Sequence, residues 1–246
     1  METGFYRMAG LNMELGMSHP RVLERFRPWK IERADTVQIR MKATPEKIAE
    51  EQAEDEGRPV PVWIREMNAL YRGICEQLPV YGGMLMHSSA LMMDGRGYLF
   101  AGLSGAGKST HARMWRETFG ERVVMINDDK PLLRNVEDGS GGAGRRFWVY
   151  GTPIDGKHHL SANTEAPLCG ICFIRQGEKN VIRRMSVNEA LPGVMEQIYR
   201  CDDMEYMVGI LELTDELFRQ VPVYELTCTV SHEAAEIAYR KMKEDM

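Results

Sequence analysis

The strongest constraint on this chain is the stretch Gly102-Leu-Ser-Gly-Ala-Gly-Lys108-Ser109-Thr110. Glycine, four intervening residues, then Gly-Lys-Ser/Thr is the spacing of a phosphate-binding loop. Glycines at 102, 105 and 107 allow successive backbone N–H groups to turn inward around a polyphosphate, because no Cβ obstructs them. Lys108 adds a point charge, the Ser109 hydroxyl is suited to Mg²⁺, and the next helix would present its positive end. The flanks fit this setting. Tyr98–Ala101 is an apolar, strand-like run, and Thr110–Phe119 reads as a helix stopped by Gly120. The expected nucleotide contacts are therefore Gly102, Ser104, Gly105, Ala106, Gly107, Lys108, Ser109 and Thr110.

A chain of 246 residues suffices for one large α/β domain with an N-terminal appendage. A net charge of −5 gives no electrostatic reason to bind nucleic acid. No N-terminal apolar leader and no run long enough to cross a bilayer is present, so a cytoplasmic location and no membrane partner are expected. Five cysteines at irregular spacing argue against a disulfide framework. Cys169-Gly-Ile-Cys172 has CxxC spacing, but it lies in an apolar strand-like run with no second pair, so buried structural thiols are expected.

The first eighty residues carry fewer signals. Thr36–Lys42 alternates as a half-exposed strand, and Pro45–Glu56 is a short acidic helical stretch ending at Gly57. Val60, Ile64, Met67, Leu70, Ile74 and Leu78 repeat at helical spacing and form a core-facing stripe. From Gly82 the pattern becomes strands. Met84–Met93 and Tyr98–Ala101 read as a hairpin closed at Asp94-Gly95, feeding directly into the glycine loop. That order differs from a parallel strand reached through a helical crossover.

Arg122–Asn127 then reads as a buried strand delivering Asp128 and Asp129 to the rim of a sheet. Residues 137–145 read as a glycine-rich turn, Phe147–Tyr150 as a strand, and Gly151–His159 as a polar loop. Further strands are expected at 169–175, 180–185 and 221–230, with helices over 187–200 and 204–219. Ser231 would cap a last helix.

Met86-His87-Ser88-Ser89-Ala90, the Asp94-Gly95 turn, Gly102–Thr110, Asn127-Asp128-Asp129 and Gly151–His159 together resemble the HPr kinase/phosphorylase-like P-loop proteins, which are related in fold to the phosphoenolpyruvate carboxykinases. The resemblance covers residues 82–175 by motif. It implies an α/β P-loop domain of that type with a mixed sheet over residues 81–246, and a small α+β region over 1–80. The large N-terminal domain of a carboxykinase has no match here, nor does the HPr kinases' phosphorolysis segment or regulatory domain. A small molecule or another protein serine is therefore as good an acceptor as HPr.

The implied activity is an ATP- and Mg²⁺-dependent kinase acting on a hydroxyl. Lys108 neutralises phosphate charge, Ser109 and Asp129 serve the metal, and the resemblance makes Asp128 the general base, with the reverse order of the two aspartates as the alternative. His87 would orient the catalytic aspartate. Lys157, His158 and His159 are candidates to hold an anionic substrate group, with a solvated loop as the alternative; adjacent histidines lack zinc-ligand spacing. His111 is a further candidate for nucleotide contact, and Arg175, Arg183 and Arg184 read as a solvated strand face. A non-catalytic ATP-binding module is the alternative function, and a motor-like NTPase a third. Assembly with copies of the same chain stays open.

Overall fold

In the computed structural model, residues 1–53, 59–137 and 144–245 are described. The chain opens on a hairpin with no turn motif of Asn-Gly or Asp-Gly type to mark it in the sequence. β1 (Glu2–Met8) and β2 (Leu11–Met17) pair antiparallel from Glu2↔Met17 to Met8↔Leu11. Ala9 and Gly10 take positive φ at the turn, as a two-residue hairpin with right-twisted strands requires. α1 (Pro20–Phe26) follows, then β3 (Lys30–Ile31) and β4 (Ile39–Lys42). Only the second half of the strand expected over Thr36–Lys42 therefore joins a ladder, parallel to β2.

α2 (Pro45–Ala53) and α3 (Val62–Cys75) come next. The end of the acidic stretch expected over Pro45–Glu56 lies outside the described residues. α3 buries Met67, Leu70 and Ile74, the expected stripe, while Leu78 lies beyond the helix. The stripe packs with Leu85, Leu132, Tyr150 and Ile154 of the following elements, so one apolar core joins the N-terminal sheet to the rest.

β5 (Gly83–Leu85), β6 (Ser89–Met93) and β7 (Arg96–Ala101) replace the two strands expected there. The hairpin is as read, with Met93↔Arg96 closing on Asp94 and Gly95, both at positive φ. The run Met84–Met93 is not one strand, however. Its middle residues spend their backbone groups elsewhere: Met86 bridges Ile198, the His87 N–H donates to Gln197 O (2.7 Å) and the Ser88 N–H to Asp129 O (2.9 Å). His87 thus sits in a crossing segment and does not pair with β7.

The remaining elements are α4 (Lys108–Phe119), β8 (Val123–Asn127), β9 (Leu132–Glu137), β10 (Arg145–Tyr150), β11 (Glu165–Gln176), β12 (Val181–Arg184), α5 (Val187–Gln197), α6 (Met204–Gln220), β13 (Val223–Cys228) and α7 (His232–Glu244). β9 was not foreseen, and most of the glycine-rich turn expected over 137–145 lies outside the described residues. Among the described residues the strands form two sheets, β3-β1-β2-β4 and a nine-stranded sheet ordered β5-β9-β10-β11-β7-β6-β8, with β13 beside β11 and β12 beside β13. β7 and β13 run parallel to β11, whereas the other ladders of this sheet are antiparallel. The protein is α/β with a mixed sheet. No helix among the described residues is long and apolar enough to cross a membrane.

α4 and α7 cover one face of the large sheet, over a core that includes Phe100, Trp115 and Leu226; α5 and α6 help enclose a second core around Leu99, Ile171 and Ile210. Cys169 and Cys172 are buried and unpaired on β11, and burial raises both thiols above their ordinary range. Arg175 and Arg183 are exposed on the strand surface and pair with Glu225.

His111 belongs to the aromatic core and not to a ligand surface. Its ring is met edge-on by Phe100 at 4.7 Å, and Trp115 Nε1 donates to its Nε2 at 2.9 Å. Burial lowers its pKa from 6.5 to about 4. The neutral ring is the one the fold accepts, so its contribution to stability is complete above pH 6.5 and is lost as pH falls toward 4. Across that window the folded state is expected to lose roughly 3 kcal/mol from this group alone. Denaturant melts between neutral pH and pH 4 test this: His111→Gln, which keeps a neutral acceptor for Trp115, should flatten the profile, and a parallel loss in both proteins would refute the assignment.

Candidate functional site

The glycine loop leaves β7 at Ala101 and enters α4 at Lys108. Its glycines take φ of 137° (Gly102), 80° (Gly105) and 106° (Gly107), a region where side chains are strained. A Cβ at Gly105 would meet nothing within 4 Å, so backbone conformation and not crowding requires glycine there. Lys108 Nζ donates to Gly102 O (2.8 Å) and Leu103 O (3.3 Å), which folds the lysine back over its own loop. Burial lowers its pKa, and the charge of Asp129 works against that shift.

β8 ends in a turn built by Asn127. Its Oδ1 accepts from the N–H groups of Asp129 (2.8 Å) and Lys130 (2.7 Å), and its Nδ2 donates to Thr152 and to Ile154 O. This buried amide fixes where both aspartates point. Asp128 is 6% exposed; its Oδ1 accepts from the Gly156 N–H at 2.7 Å, and its buried Oδ2 has no hydrogen-bond partner. Asp129 takes the other direction, with Oδ1 3.0 Å from His87 Nε2. Burial, the largest influence on this carboxyl, raises its pKa, but the His87 hydrogen bond and the charges of Lys130, His87 and Lys108 outweigh it and hold it below the ordinary carboxylate range.

Residues 151–154 were expected as the start of a polar loop but are buried. They form a strap laid across the end of β8, held by Thr152 Oγ1, which donates to Lys130 O at 2.9 Å, and by the Ala162 N–H on Ile126 O at 3.1 Å. The strap then delivers Gly156, Lys157 and His158 to the site.

These elements enclose one cleft of about 620 Å³. His87, Ser104, Gly105, Gly107, Lys108, Ser109, Thr110, Asp128, Asp129, Lys157 and His158 all line it. Gly102 and Ala106, expected as nucleotide contacts, are not among the lining residues. His159 is turned away: Arg25 Nη2 lies 2.8 Å from its Nδ1, and Asp155 contacts the same nitrogen at 3.1 Å. Asp155 also binds Arg25 and accepts from Ser161 Oγ at 3.0 Å, so this cluster ties α1 to the strap. A positive φ at His159 swings its side chain to that outer face, which adjacency to His158 in sequence does not reveal.

Several site residues had no sequence motif. Arg113 and Arg116 line the cleft from α4, four and seven residues beyond Ser109, and that helical spacing is the signal that would have found them. Gln197, at the end of α5, is buried; with its amide nitrogen toward them it donates to Gly102 O (3.2 Å) and His87 O (3.1 Å), linking the loop to the crossing segment. No local pattern identifies that contact.

Among the described residues no cluster of three or more His, Cys, Asp or Glu side chains forms a self-sufficient metal centre.

A search of curated protein sequences returned no match. Among solved structures, the Hpr(Ser) kinase/phosphatase from Coxiella burnetii aligns with 66% of this chain and 99% of its own, at 9% identity and a TM-score of 0.34. A likeness of that size supports no conclusion about fold or activity. The model of the family described as SynChlorMet cassette protein ScmC matches residues 55–237, most of the chain and every residue lining the cleft. The chain belongs to the ScmC family.

Proposed function

We propose that the cleft binds ATP with Mg²⁺ and transfers the γ-phosphoryl group to a hydroxyl, as a kinase of the HPr kinase/carboxykinase type. The observation that carries this reading is the meeting of the glycine loop with two differently held carboxylates, Asp128 and Asp129, in one cleft. The residues suit the ligands. The glycine cradle leaves room for a polyphosphate, and the unpartnered Asp128 Oδ2 is an acceptor waiting for a donor.

Backbone N–H groups of Ser104, Gly105, Gly107 and Ser109, together with Lys108, would hold the β- and γ-phosphates, Lys108 exchanging its loop carbonyls for phosphate oxygens. Ser109 and Asp129 would hold the metal, and a carboxylate kept below its ordinary pKa range is a poor base and a good cation ligand. Bound Mg²⁺ supplies charge neutralisation on the phosphates. Asp128 Oδ2 would take the acceptor's proton as the acceptor oxygen bonds to phosphorus and the bond to the bridging oxygen breaks, releasing ADP. His87 orients Asp129, a change from the expectation that it serves the base.

Equilibrium titration with Mg·ATP tests the donor side. The wild type should bind, and Lys108→Ala should weaken binding by about tenfold or more, as expected for a lost charge-assisted contact. Absence of binding by the wild type would overturn the reading.

A further inference from the structure

The cleft extends past the glycine loop, and its outer wall is positively charged. Arg116 lies seven residues beyond Ser109 on α4, roughly 10 Å along the helix axis. The strap brings Lys157 and His158 to the lining of the same cleft. Among the described residues none of these three side chains makes a hydrogen bond or ion pair, whereas Arg113 beside them is paired with Glu117 at 3.2 Å. Of the two carboxylates of the cleft, Asp129 contacts His87, and Asp128 accepts from the Gly156 N–H through Oδ1, so neither pairs with Arg116 or Lys157. Arg116 and Lys157 therefore stand as unpaired cations in one cleft of a chain whose net charge is −5. Such a wall concentrates anions and pairs well with carboxylate or phosphate oxygens.

We infer that this outer half is an anion subsite for the acceptor, so that the phosphoryl-accepting hydroxyl belongs to a small molecule that also carries a carboxylate or a phosphate. The inference rests on the donor occupying the glycine loop. Arg116 and Lys157, both lining the cleft, hold the anionic group and leave the hydroxyl to Asp128. The cleft, about 620 Å³, is of the size of ordinary ligand-binding clefts.

The test separates the two halves of the site. Wild-type protein saturated with Mg·AMP-PNP is titrated with inorganic phosphate and, in a second arm, with glycerate; the tighter of the two identifies the group preferred. One equivalent should bind, and the double variant Arg116→Gln, Lys157→Gln should weaken that binding at least about tenfold while AMP-PNP affinity stays within about threefold. If neither anion binds the loaded protein, or the double variant binds as well as the wild type, the subsite is refuted. An equal loss of AMP-PNP affinity would assign the two residues to the donor and also refute it. If the wild type does not bind AMP-PNP, the donor reading fails; the same titration on the free protein then decides the subsite, with a tenfold loss in the double variant supporting it and no loss refuting it.

Discussion

Replacing Asp128 by asparagine is expected to lower turnover by roughly 10²–10⁴-fold, the usual contribution of a general base. The substitution keeps shape and leaves an Oδ1 able to accept from the Gly156 N–H, the one hydrogen bond the side chain now makes. It removes the basicity of Oδ2, the buried oxygen without a partner. Affinity for Mg·ATP should stay within about threefold, because the phosphates are assigned to the loop and the metal to Ser109 and Asp129. Asp129→Asn should behave differently. It weakens the His87 contact and the expected metal site together, so Mg²⁺ dependence should shift toward higher concentrations along with the loss of rate. If Asp129→Asn abolishes turnover at saturating Mg²⁺ and Asp128→Asn does not, the roles are reversed.

Gly151→Ala carries the largest expected effect on stability. A Cβ there would lie 1.8 Å from Ala162 O and 2.7 Å from Ile126 O, both backbone atoms that no side-chain rotation can move. The position is also bonded on its other edges, its N–H to Thr164 O at 2.9 Å and its carbonyl to Trp29 Nε1 at 3.3 Å. Relief therefore requires the strap to lift from β8. Overpacking of this kind costs about 3 kcal/mol. For a chain of this size that lowers Tm by roughly 10 °C. The strap also carries Gly156 to Asp128, so activity should fall further than the lost stability accounts for. A melt within about 2 °C of the wild type would show that the strap accommodates a side chain after all.

What the sequence made legible follows from how local each signal is. The glycine loop, the Asp94-Gly95 turn and the capped helix after Ser231 are set by residues within a few positions of one another, and each lies where it was read. The paired acids after β8 were legible for the same reason, but β8 is an edge strand with Val124 exposed, and not the buried strand expected, because among the described residues β6 alone pairs with it. Long-range contacts left no such trace. His87 was read onto a strand because apolar residues flank it, but its N–H is taken by Gln197, more than a hundred residues away. Thr152 looks like a loop residue and is buried because Asn127 and Lys130 satisfy its hydroxyl. His159 shares its neighbour's chemistry but not its direction, because Arg25 and Asp155 hold it on the outer face. Arg116 was legible in principle, and its helical offset from Ser109 was the clue left unused.

The measurement that reaches the central claim most directly is ADP release from Mg·ATP by the wild type and by Asp128→Asn, across a panel of hydroxylated small molecules and protein serines. The account predicts release stimulated by an acceptor and lost in the variant. Tight Mg·ATP binding with no acceptor-stimulated release, or equal release by both proteins, would contradict it and leave the cleft a nucleotide-binding site without phosphoryl transfer at Asp128.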